Sequence, residues 1–83
     1  MKVTVKYFAG IREAIGSATE SVDTSASTLA GLRDQLIAQG GAHAESLARG
    51  KAVRLALNQV MVDESAALTE GAEVAFFPPV TGG

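Results

Sequence analysis

Apolar and polar residues alternate from the start of the chain. Between Lys2 and Phe8, Val3, Val5 and Tyr7 fall on one face, while Lys2, Thr4, Lys6 and Phe8 fall on the other. This period of two predicts a strand buried on one side. Ala9-Gly10 breaks it, and Ile11 to Ile15 reads as one helical turn ended by Gly16. Ala18 to Asp23 predicts a weaker, more polar strand suited to a sheet edge. The pattern then changes period. Leu29, Leu32, Leu36 and Ile37 form a helical stripe, with Ser27 or Thr28 able to cap its start and Gly40 able to end it in a left-handed conformation. Gly31 inside this helix costs about 1 kcal/mol against alanine, so close packing or simple tolerance explains it. Ala42 to Arg49 reads as a second short helical piece.

Alternation returns at Val53, Leu55 and Leu57. Asn58-Gln59 predicts a tight turn, Val60 to Val62 a short returning strand, and Asp63 to Leu68 a polar connection. Glu70-Gly71 makes a turn before the last strand, Glu73 to Phe77, whose core set is Val74 and Phe76 and whose opposite face is Glu73, Ala75 and Phe77. One amphipathic helix cannot bury its stripe alone, and a mixed sheet across it is the economical two-layer answer. The expected class is α+β: a β-grasp of four to five strands on one main helix, its first and last strands parallel neighbours in the middle. The expected organisation is a β-grasp domain over residues 1–77 and an extended tail over 78–83.

Composition narrows the chemistry. Eighty-three residues make one small domain. At 47% hydrophobic and 19% charged the chain is an ordinary folding sequence. Seven basic against nine acidic residues leave a net charge of −2, without the basic footprint that nucleic acid or an anionic membrane would call for. No cysteine is present, which removes thiolate metal sites, iron–sulfur clusters and thiol nucleophiles, and the single histidine cannot build a multi-histidine metal site. The alternating start is not a signal peptide, and no apolar run approaches the roughly 20 residues of a membrane span. A cytoplasmic domain is expected, with no metal and no cofactor of its own.

The unusual segment is Pro78-Pro79-Val80-Thr81-Gly82-Gly83. Prolines cannot extend a central strand and hold the chain stiff and extended. From Phe77 to Gly83 the reach is roughly 20 Å. The glycine tip adds no side-chain bulk and could enter a passage only as wide as a backbone.

Val74-Ala75-Phe76-Phe77-Pro78-Pro79-Val80-Thr81-Gly82-Gly83 resembles the end of the ubiquitin-like sulfur carriers, and most closely the small subunits of molybdopterin synthases. Tyr7-Phe8-Ala9 followed by Ile11-Arg12-Glu13, Leu57-Asn58-Gln59, and the turn from Leu68 to Glu73 around Gly71 carry the resemblance through the chain; residues 38–51 match loosely. The resemblance implies a co-substrate rather than an enzyme in its own right. An adenylating, ubiquitin-activating-like partner would use ATP to activate the Gly83 carboxylate, and sulfur transfer would leave a thiocarboxylate. The large synthase subunit, within a heterotetramer that holds the active site, would use that sulfur to build the molybdopterin dithiolene from a cyclic pyranopterin phosphate. The residues agree. The chain lacks the G-x-x-x-x-G-K-[ST] phosphate loop, so ATP must be bound elsewhere, and without a thiol sulfur can ride only on an acyl group.

Pro78, Pro79, Val80, Thr81 and Gly82 are then the threading segment. Phe8, Met61 and Phe77, all off the core face, form the candidate partner interface. The other reading of these aromatics is a second small core beneath the turn from Ile11 to Ile15. Arg12, Lys51 and Arg54 could meet an acidic partner or a phosphate, but scattered along the sequence they read as solvated charge. His43 reads as a surface histidine, Asp63-Glu64 as a polar loop, and Ser17, Ser21 and Ser46 lack a nearby base. Alternative functions are sulfur carriage for another pathway such as thiamine, a ubiquitin-like modifier joined to lysines through Gly83, and a plain binding module with an inert tail.

Overall fold

The computed structural model describes residues 1–79. Val80, Thr81, Gly82 and Gly83, the outer part of the expected tail, lie outside the described residues. Five strands, β1 (Lys2–Tyr7), β2 (Thr19–Asp23), β3 (Arg54–Leu57), β4 (Val60–Val62) and β5 (Glu73–Phe77), and three helices, α1 (Ala9–Ile15), α2 (Leu29–Ile37) and α3 (Gly41–Leu47), follow in the order β1-α1-β2-α2-α3-β3-β4-β5. The strands form one mixed sheet in the order β2-β1-β5-β3-β4. β1 and β5 are parallel neighbours at its centre, pairing Val5 with Val74 and Tyr7 with Phe76, and polar β2 takes an edge.

The inner face of the sheet carries Val3, Val5, Tyr7, Val74, Phe76 and Leu55, all buried. On it lies the α2 stripe of Leu29, Leu32 and Leu36, also fully buried; each such side chain contributes roughly 1.5–3 kcal/mol. The helix starts where its cap predicts: the Thr28 hydroxyl accepts the Gly31 N–H at 3.2 Å. Gly31 packs closely, since a Cβ there would stand 3.0 Å from the Cβ of Ala26, tighter than an ordinary contact.

Several details differ from the sequence reading. The helical layer is not α2 alone: Leu47 of α3 and Ile11 of α1 are buried in the same core. α2 does not end in a left-handed glycine. It closes at Ala38 in a right-handed conformation, and Gly40, with φ 76° and ψ −171°, instead caps the start of α3. The connection after Asp63 is not wholly polar, because Leu68 is buried and its N–H bonds to the Ser27 carbonyl. Asn58 and Gln59 both take positive φ, the requirement of a type I′ hairpin turn. The Asn58 side chain then accepts the Glu73 N–H at 3.0 Å, tying the turn to β5. Among the described residues no helix is long and apolar enough to cross a membrane.

Candidate functional site: the outer sheet face and the tail stem

β1 and β5 run parallel and finish together, so Phe8 and Phe77 arrive side by side where the chain leaves the sheet. Their rings stack with centroids 4.5 Å apart and planes 11° from parallel. Two bonds fix this geometry. The Phe8 N–H donates to the Phe76 carbonyl at 3.2 Å, and the Phe8 carbonyl receives the Ile11 N–H. Between them Ala9 takes φ 50°, a left-handed conformation that costs a non-glycine residue roughly 1 kcal/mol and turns the chain straight from β1 into α1. Neither aromatic joins the core, and Ile11 packs inward instead. The second small core beneath the Ile11–Ile15 turn is therefore absent among the described residues.

Cross-strand register places the rest of this face. Lys6 pairs with Ala75, Ala75 with Ala56 and Ala56 with Met61, so these four form one row facing away from the helices. Phe77 and Arg54 form the next outward row. Met61 is 55% exposed and Phe8 38%. Strand geometry sets the Met61 backbone roughly 12 Å from that of Phe77, with the two alanines as a low floor between. The structure thus brings Phe8 and Phe77 into contact and sets Met61 on the same face at its far side. Lys6 and Glu73 pair at 3.3 Å along its border. Pro78 and Pro79 follow Phe77 and, with Ile11, Ala14, Gly50 and Lys51, line a groove of about 530 Å³ between α1 and the loop before β3.

Two polar clusters escaped the sequence reading. Arg33, one turn from both Leu29 and Ile37 in the apolar stripe of α2, is 3% exposed. Its Nε donates to the Leu47 carbonyl at 2.8 Å, its Nη2 to the carbonyls of Ala48 at 2.8 Å and Lys51 at 3.1 Å, and its Nη1 to Glu64 at 3.2 Å. Burial lowers its pKa and Glu64 opposes that shift. Arg49 joins Glu64 to Asp34, so Glu64 is a structural anchor rather than loop decoration. Only the interruption of an apolar stripe by an arginine could have signalled this, and that pattern has no specific meaning in a sequence.

His43 is the second correction. It is not a surface histidine: its side chain is 17% exposed and stands edge-on to Tyr7. Its Nε2 lies 2.9 Å from Oε2 of Glu20, the same oxygen that accepts the Tyr7 hydroxyl at 2.5 Å. An ionised carboxylate only accepts, so Nε2 carries the hydrogen. Partial burial works against ionisation of Glu20, but the bonds from Tyr7 and His43 outweigh it and hold the carboxyl below its usual range. Burial, followed by Glu20, raises the Tyr7 hydroxyl pKa. The cluster faces the helices, away from the outer aromatics.

The comparisons fit this architecture. The chain is 42% identical over 81 residues to the molybdopterin synthase sulfur carrier subunit of Escherichia coli, covering 98% of this chain and 99% of that one. SAMP1 of Haloferax volcanii superposes with a TM-score of 0.79 at 28% identity over all of both chains. A complex of subunits 1 and 2 of molybdopterin-converting factor from Helicobacter pylori gives a TM-score of 0.70 at 27% identity, again over all of both chains. The fold is the ubiquitin-like β-grasp. The model of the ThiS family matches residues 5–83, the sheet and the tail together, and this chain belongs to that family.

Proposed function

We propose that this protein is the sulfur carrier of molybdenum cofactor biosynthesis, with Gly83 as the acyl end that bears the sulfur. The observation that carries the reading is the stacked Phe8–Phe77 pair at the strand end from which the Pro78-Pro79 stem departs. It gives a partner an apolar handle at the root of the segment it must receive. The E. coli relative is named for this role.

The chemistry proceeds through an acyl adenylate. The Gly83 carboxylate oxygen attacks the α-phosphorus of ATP held by an adenylating partner, and pyrophosphate leaves. A sulfur nucleophile then attacks the acyl carbon and AMP leaves. This exchange is needed because a carboxylate oxygen is a poor leaving group. The resulting thiocarboxylate is delivered to the large synthase subunit, where its sulfur enters the dithiolene built on a cyclic pyranopterin phosphate. This chain binds no cofactor in the scheme: ATP belongs to the activating partner and the pterin to the large subunit. Dependence on ATP makes the cytoplasm the compartment for the work.

The test is the intact mass of the protein after incubation with the adenylating enzyme, ATP and a sulfur donor. One terminal oxygen replaced by sulfur, followed by loss of that sulfur to the large subunit with pterin product formed, is expected. A mass unchanged throughout sinks the reading. Likeness to SAMP1, called a small archaeal modifier protein, supports a second reading as a protein modifier. Its signature in the same experiment is an isopeptide adduct at a lysine.

A further inference from the structure

The sequence has no cysteine and two methionines, Met1 and Met61, so thioethers are the only sulfur its side chains present to an oxidant. Both methionines are exposed, Met1 at 40% and Met61 at 55%. They stand in different places. The Met1 ammonium donates to the Thr24 carbonyl at 2.8 Å, beside the start of β1 and away from the root of the tail. Met61 is the central residue of β4, the strand at the sheet edge.

Strand register explains the exposure of Met61. It pairs with Ala56 and Ala56 with Ala75, so its neighbours along the outward row carry one methyl group each and cannot enclose a longer side chain. No strand lies on the other side of β4 to cover it, and Val60 beside it is also exposed. The ladder bonds of β4 are main-chain bonds and do not depend on the thioether. A thioether is flexible and polarizable and adapts to more than one apolar counterpart, whereas its sulfoxide is polar and chiral.

We propose that Met61 is a reversible oxidation site that controls docking: hydrogen peroxide converts its thioether to the sulfoxide, and the sulfoxide weakens binding of the outer face to the large synthase subunit. This rests on the proposed sulfur-carrier function and adds a redox control to the same face. In the step, a lone pair of Sδ attacks one peroxide oxygen, and an S–O bond forms as the O–O bond breaks. The departing hydroxide takes up a proton and leaves as water; sulfur loses two electrons and peroxide gains them. Methionine sulfoxide reductase restores the thioether with a thiol reductant, which becomes a disulfide as the oxygen leaves as water. A carrier that passes between partners bares this face at each transfer, when the oxidant can reach it. Docking must then bury a polar sulfoxide, which costs affinity unless the partner supplies a hydrogen bond.

The test uses the full chain with its Gly83 carboxylate unsulfurated, so that no thiocarboxylate competes for peroxide. Wild type and Met61→Leu are treated with hydrogen peroxide and the oxidised residues are mapped by peptide mass. Affinity for the large synthase subunit and thermal melts are measured before and after. Expected for wild type are one added oxygen at Met61, binding about tenfold weaker, an unchanged melt, and recovery with methionine sulfoxide reductase and a thiol. Met61→Leu should hold one affinity before and after treatment, although Met1 is open to oxidation in both proteins. Unchanged affinity of wild type with Met61 fully oxidised overturns the proposal, as does an equal loss in Met61→Leu. A melt that collapses on oxidation also overturns it, because the sulfoxide would then act on the fold and not on docking. If Phe77→Ala weakens binding while oxidation does not, only the redox site fails. If neither changes binding, the docking face fails and the redox site with it, while sulfur loading at Gly83, read by intact mass, tests the carrier function separately.

Discussion

Phe8 and Phe77 sit 69 residues apart in sequence, yet their rings stack at 4.5 Å because β1 and β5 are parallel and end level with one another. The same two strands send Tyr7 and Phe76 inward, where those rings also stack, with centroids 6.1 Å apart. One step of strand alternation therefore separates a pair that holds the fold from a pair turned to the outer face, which we propose meets a partner.

The first prediction follows from that division. Phe8→Ala and Phe77→Ala should each lower affinity for the large synthase subunit by about 2 kcal/mol, roughly 30-fold, with little change in thermal stability. Phe76→Ala should instead destabilise the fold by about 3–5 kcal/mol. Calorimetric titration beside thermal melts separates the two effects. Melts that collapse for the outer pair, with affinity per folded molecule intact, would reverse the assignment.

The second concerns Arg33. Arg33→Met removes donors to three backbone carbonyls and leaves Glu64 facing Arg49 alone. Breaking one partner of such a buried arrangement costs about 3–5 kcal/mol. Arg33→Lys should recover little, since one ammonium cannot reproduce the guanidinium fork. Urea unfolding reads the cost. Hydrogen exchange should show the amides of Lys51 and Val53 losing protection, because both bonds belong to the loop that Arg33 holds. Wild-type stability in Arg33→Met would mean that the carbonyls find water at no cost.

The third concerns acid. The Glu20 carboxyl titrates lower in the folded protein than when unfolded, so the folded state binds its proton less readily. Its contribution is therefore present above the unfolded carboxylate range, near pH 4.3, and is lost as pH falls through the lower folded value. Glu20→Gln keeps an acceptor for Tyr7 but cannot ionise. Its melting temperature should fall less steeply than that of wild type below about pH 5. Parallel acid limbs for the two proteins would show that Glu20 does not govern this range.

These cases mark what the sequence could carry. The alternation of Val3, Val5 and Tyr7 and the spacing of Leu29, Leu32 and Leu36 are periodic, and burial follows period directly, so strands, main helix and outward aromatics were legible. Contacts between elements have no period. Nothing in the sequence brings Glu20 of an edge strand to His43 of α3, or turns Arg33 beneath the Ala48–Lys51 loop. Gly40 shows the same limit locally: its positive φ was foreseeable, but whether it closed α2 or opened α3 depended on where Leu47 had to be buried. Arg12, Lys51 and Arg54 are exposed, as solvated charges should be, and no period in the sequence relates the three elements that carry them.

The last prediction concerns Gly82, next to the residue proposed to react. On that proposal, a partner must receive the tail from outside and bring the Gly83 carbonyl against ATP in one enzyme and a pterin in another. A Cβ at position 82 restricts the backbone and thickens the thread. Displacement of the reacting carbon by about 1 Å can cost on the order of 100-fold in rate. The proposed docking residues Phe8 and Phe77 are untouched, so affinity of the folded body should stay close to wild type. Gly82→Ala should therefore bind but react slowly, and Gly82→Val more slowly still, in both adenylation and sulfur transfer. Single-turnover rates at saturating partner measure this independently of binding. Wild-type rates for Gly82→Val in both steps would show that neither partner confines the tip, and the terminal glycines would lose their physical reason.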